Sequence, residues 1–157
     1  LQYKRPDFID LLMKHVRENE VQPEEIELEI TETVLIDDFK AVIEKMLVLQ
    51  EYGFRVSLDD FGTGYSSLSY LSGLPLNTIK IDKAFIDSVL VDSATKIVME
   101  SIIQMVHRLG YESIAEGIES YDQVEYLQEI GCDVIQGYLL GKPLDSSEIE
   151  ELIKGFL

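Results

Sequence analysis

Short apolar runs alternate with amphipathic stretches along this chain, and that alternation limits its fold more than any other feature. Residues 26–30, 54–59, 78–82, 113–116 and 134–137 are rich in β-branched side chains and read as strands. Between them the apolar residues recur at helical spacing. Pro6 suits the first turn of a helix over 6–18, with Phe8, Leu11, Leu12 and Val16 on one face. Phe39, Val42, Ile43, Met46 and Leu47 mark a helix that ends near Gly53, and a short helix is expected over 66–71. A long helix is expected over 93–109. Ser120 and Gln123 form a capping box for a helix ending at Gly131. Asp145 with Glu148 would cap a last helix, whose apolar face is Ile149, Leu152, Ile153 and Phe156. One leading helix followed by five strand–helix units is an α/β chain with a parallel sheet. An open doubly wound sheet of five strands would be complete in 157 residues. A closed barrel of eight units takes about 250. Composition does not choose between them.

The polar residues gather at the C-terminal ends of these strands, the edge where parallel α/β folds build their sites. Glu29 and Glu32 follow the first strand, Asp59 and Asp60 the second, and Glu116 and Glu119 the fourth. Lys80 sits between Ile79 and Ile81 in the third, and Gln136 ends in the fifth. Side chains alternate across a strand. If Leu28 and Ile30 pack under helices, Glu29 faces the other way, and by the same count Lys80 points inward. Inward charges are prohibitive unless they neutralise one another or hold metals.

The segment Asp59-Asp60-Phe61-Gly62-Thr63-Gly64 stands out. Two adjacent anions at a strand end, followed at once by two glycines, read as a metal-binding, phosphate-facing loop. Taken singly, each residue has a plainer role. The acids could cap helices or stay solvated, Lys80 could reach solvent, and Gln136 could be a paired core residue. Tyr65 and Tyr138 could stack on a base or pack in the core. His15 and His107 lack ligand spacing and read as surface residues. Cys132 reads as a small buried apolar residue.

A formal charge of −17 repels polyanions, so a nucleic-acid polymer is not the expected partner. A single cysteine permits no intrachain disulfide and suits a cytoplasmic protein. No apolar run approaches the roughly 18 residues of a membrane helix.

These motifs resemble the EAL-domain family of bacterial cyclic-di-GMP phosphodiesterases. The matching segments are Glu27-Leu28-Glu29-Ile30-Thr31-Glu32, Asp59 through Leu68, Ile79-Lys80-Ile81-Asp82, Ala115-Glu116-Gly117-Ile118-Glu119 and Gln136-Gly137-Tyr138. The resemblance implies a TIM-like (β/α) barrel, here a partial barrel of about five strand–helix units. It implies two Mg2+ or Mn2+ ions and hydrolysis of cyclic-di-GMP to the linear dinucleotide. It makes Glu29, Asp59, Asp60 and Glu116 metal ligands. Lys80 and Glu116 become the catalytic pair, orienting and deprotonating the attacking water. Glu32, Gly62, Thr63, Glu119 and Gln136 become supporting or substrate-lining residues, with Glu32 anchoring the loop that follows Asp60. It also implies a homodimer and a regulatory domain upstream. The family's Glu-Ala-Leu strand and the metal-binding Asn after it have no counterpart here. Residues 1–157 are therefore expected to be the C-terminal portion of a single EAL domain, with activity impaired in this chain alone. Three other functions compete with that expectation. One is an inactive EAL domain that binds cyclic-di-GMP or a protein. Another is metal-assisted proton abstraction with Lys80 as base, and the last is an interaction domain with no chemistry.

Overall fold

A computed structural model describes residue 3 and residues 5–62 and 70–156. The expected short helix falls largely outside the described residues, as do Thr63, Gly64 and Tyr65 and the side chain of Phe156.

The leading helix α1 is Phe8–Glu18, and a 3-10 turn at Pro23–Glu25 leads into strand β1, Glu27–Thr31. Helices α2, Glu32–Asp37, and α3, Phe39–Glu51, then lead to β2, Arg55–Phe61. Strand β3 is Thr78–Ile81, followed by α4, Lys83–Val89, and α5, Ser93–Arg108. Strand β4 is Glu112–Ala115, α6 is Tyr121–Glu129, β5 is Val134–Ile135 and α7 is Ser146–Phe156.

The caps follow the sequence. Asp92 accepts from the amides of Ala94 and Thr95 at the start of α5, whose buried face is Met99, Ile102, Ile103 and Val106. Ser120 and Gln123 close a reciprocal box on α6. Asp145 and Glu148 do the same before α7, each accepting from the other's amide.

The sheet runs β1-β2-β3-β4-β5, with every neighbouring pair parallel. This order decides what composition left open. A doubly wound sheet reverses its strand order at a switch point. With right-handed crossovers, an unbroken sequential order carries every helix to the same face, as in a barrel. Helices cover the face bearing Ile30, Val56, Leu58, Ile79, Ile81 and Ala115, all of them buried. Each of the valine, leucine and isoleucine side chains contributes about 1.5–3 kcal/mol on burial. The opposite face carries Glu27, Glu29, Arg55, Asp59 and Lys80. The molecule is thus an arc of five barrel units with its polar inner face inward.

Three differences from the sequence expectation matter for the site. Helices α2 and α4, unforeseen, begin directly at the ends of β1 and β3; six or seven residues are too few for a helical period to show. The second strand, expected to end at Asp59, runs on to Phe61, so Asp60 lies inside it as well. The apolar face of α7 is half exposed, with Leu152 at 52% and Ile153 at 53%.

Candidate functional site at the C-terminal edge of the sheet

The site is organised by a β-bulge. Leu58 pairs with Ile79 and Phe61 with Ile81, so Asp59 and Asp60 together oppose Lys80. A bulge inserts one residue and re-aims side chains. Asp60 takes up the extra length with φ +56°. Asp tolerates this left-handed region better than most residues. Two consecutive acids are thereby presented at one strand end, where a regular strand would turn one of them beneath the helices.

Lys80 is the centre. Its side chain is 7% exposed, and its ammonium lies 2.5 Å from Glu29 Oε1, 2.6 Å from Glu116 Oε1 and 3.5 Å from Asp59 Oδ1. β1, β2 and β4 thus each bring a carboxylate to the cation of β3. Burial alone would lower the Lys80 pKa. The hydrogen bonds to Glu116 and Glu29, with the Asp59 charge, outweigh that and hold it above the ordinary lysine value. In this arrangement Lys80 serves the three carboxylates as a hydrogen-bond donor and a positive charge. Asp59 Oδ1 is buried and makes no hydrogen bond. Burial and the charges of Asp59 and Asp82 raise the pKa of Asp60.

The remaining expected site residues fall around this core. Glu32 is buried and accepts a 2.9 Å hydrogen bond from Tyr70. Glu119 stands apart from Lys80 and pairs with Lys83 at 2.9 Å. Gln136 lies just past β5, and its exposed position excludes a buried core role. Tyr138 is 61% exposed, which excludes core packing for it too. Glu116, Glu119 and Gln136 share a cleft of about 350 Å3 with Lys83, Gly117, Gly137 and Tyr138.

Two features escaped the sequence reading. Beneath the Lys80 layer, Arg55 binds Glu27 at 2.8 Å and Glu112 at 2.7 Å and reaches Thr78 at 3.3 Å, so one guanidinium joins four strands. Glu27, Arg55, Thr78 and Glu112 all sit on the inward-facing count, with Glu27 opposite Arg55 on the adjacent strand and Glu112 two strands away. The second is Asp133, whose Oδ2 accepts from Ser113 N at 2.8 Å and Ser113 Oγ at 2.6 Å and lies 2.8 Å from His107 Nε2. Burial raises the Asp133 pKa, but these hydrogen bonds prevail and hold it below the ordinary carboxylate range. His107 is exposed, as expected, and ties α5 to the carboxylate that joins Ser113 of β4 to the start of β5. Cys132 is only partly buried, and burial raises its thiol pKa.

The donors suit a hard divalent cation: they are carboxylate oxygens, one of them buried without a hydrogen bond. Among the described residues, however, no three acidic, histidine or cysteine side chains are gathered as a ready-made metal site. The carboxylates converge on the Lys80 ammonium.

The EAL domain family model matches residues 1–143. The chain belongs to the EAL domain family. It is 38% identical over 131 residues to the cyclic di-GMP phosphodiesterase NbdA of Pseudomonas aeruginosa, covering 83% of this chain and 17% of that protein. The EAL enzyme Bd1971, in its cAMP- and cyclic-di-GMP-bound form, superposes with a TM-score of 0.93 at 36% identity, over 98% of this chain and 40% of that one. A manganese and cyclic-di-GMP complex of Klebsiella pneumoniae BlrP1 superposes with a TM-score of 0.81 at 29% identity, over 88% of this chain and 35% of that one. The chain spans about a fifth of the length of the curated relatives it matches. Within this family, the five-stranded arc corresponds to part of a TIM-like barrel. No helix among the described residues is long and apolar enough to cross a membrane.

Proposed function

We propose that this EAL chain contributes to metal-dependent hydrolysis of cyclic-di-GMP to the linear dinucleotide. The observation that carries this reading is the buried Lys80 ammonium among Glu29, Asp59 and Glu116 at the C-terminal edge of the sheet. Glu29, Asp59, Asp60 and Glu116 would hold Mg2+ or Mn2+, two ions in the complete site. When bound, these ions supply Lewis acidity toward the phosphoryl oxygens and lower the pKa of a bound water.

The chain's own residues do the rest. Lys80, kept protonated, donates hydrogen bonds that orient the attacking water and offset developing negative charge. Glu116, with Oε1 on Lys80, would be the general base or a ligand beside it. Glu32 accepts from Tyr70 and so ties the end of β1 to residue 70. Glu119 and Gln136 line the cleft beside Glu116.

Residues 1–157 are read as the C-terminal portion of one EAL domain, and the five strands among the described residues, against the eight of a whole barrel, support a partial barrel. The setting is the bacterial cytoplasm. A regulatory segment elsewhere in the parent protein and a second copy of the chain complete the assembly.

Incubation with cyclic-di-GMP and Mn2+, followed by chromatography, tests the activity in this chain and in its full-length parent. Linear dinucleotide is expected from the parent and at a lower yield from the chain, and Asp59→Asn removes it from both. Equal product from the Asp59→Asn parent would sink the assignment. Nucleotide binding without product would leave an inactive binding domain instead.

A further inference from the structure

We infer that Lys83 is a positioning residue for the substrate edge, holding Glu119 away from Lys80 and fixing the loop that carries Glu116. The inference rests on the phosphodiesterase reading above and deepens it.

Lys83 opens α4, and its ammonium lies 2.9 Å from Glu119 and 2.7 Å from Asp87. A surface ion pair alone would carry little weight. The second observation is steric. Gly117 has φ +73°, and a Cβ there would fall 2.4 Å from Cγ of Lys83. The lysine stem therefore lies directly against the backbone between Glu116 and Glu119, and only glycine leaves room for it. Two further ties fix the same loop. Gln123 Oε1 accepts from Glu119 N at 2.8 Å, and its Nε2 donates to the carbonyl of Ile86 in α4 at 3.3 Å.

The two acids of this loop are thus separated. Glu116 turns inward to Lys80, and Glu119 is held outward by Lys83. Without the Lys83 charge, Glu119 is released into the cleft that both acids line. The edge gains net negative charge, so it attracts cations more strongly and repels a phosphodiester more strongly.

Lys83→Met keeps the stem beneath Gly117 and removes the charge; Lys83→Gln does the same with a polar end. The full-length protein is titrated calorimetrically with Mn2+ alone and, in Ca2+, with cyclic-di-GMP. Both variants are expected to bind Mn2+ more tightly and the nucleotide about threefold to tenfold more weakly. These opposite signs cannot come from loss of fold, which weakens both. Lys83→Arg restores wild-type affinities. Adding Glu119→Gln to Lys83→Met returns Mn2+ affinity toward wild type, because the released carboxylate is gone. Unchanged affinities in Lys83→Met and Lys83→Gln, both affinities falling together, or no recovery in Lys83→Arg would overturn the inference. A wild-type protein that binds neither ligand would instead overturn the functional reading, and this inference with it.

Discussion

An ammonium with 7% of its side chain exposed is tolerable only when carboxylates surround it, and Lys80 has three within 3.5 Å. The same three would repel one another without it. Lys80→Met is therefore expected to lower stability by about 2–3 kcal/mol, less than for a fully buried pair because Glu29 is half exposed. Mn2+ should recover more stability in that variant than it adds to the wild type, since a cation relieves the same repulsion. Denaturant unfolding with and without Mn2+ checks both points, and an unshifted midpoint would contradict them. The inward direction of Lys80 was legible from the alternation around Ile79 and Ile81. The conformation of Asp60 was not, because a bulge depends on the neighbouring strand's pairing and not on the bulged residues alone.

Elements built from strong local signals were readable from sequence. The long helix α5, the Ser120/Gln123 box and the five strands lie close to where periodicity and capping place them. Helices α2 and α4 were not, being shorter than two full turns, although both help shape the site edge. Tertiary contact between loops was equally hidden. Gly137 follows β5 where Ile118 N bonds to Gln136 O and Leu139 N to Ile118 O, both at 3.0 Å. A Cβ at Gly137 would lie 2.2 Å from the Ile118 amide nitrogen. Backbone cannot move aside as a side chain can. Gly137→Ala is expected to destabilise by about 2–3 kcal/mol, read as a lowered denaturant midpoint, and to displace Gln136 from the cleft. A wild-type midpoint would show that the loop relaxes freely.

At the scale of the whole molecule, one topological fact organises the rest. Sequential parallel strands put the crossover helices outside and leave an inner face, which then needs Arg55 and Lys80 to neutralise its acids in two layers. Composition could not reveal this, since open and barrel-like sheets bury similar apolar strands. A formal charge of −17 disfavours polyanion binding, yet it is compatible with a phosphodiester ligand once cations load the edge. Calorimetric titration of Mn2+ into the wild-type chain and into Asp59→Asn tests that central claim most directly. Saturable Mn2+ binding that is lost or sharply weakened in Asp59→Asn is the expected result. Equal binding by the two proteins would contradict the account, because the acids around Lys80 would then not be the metal's ligands.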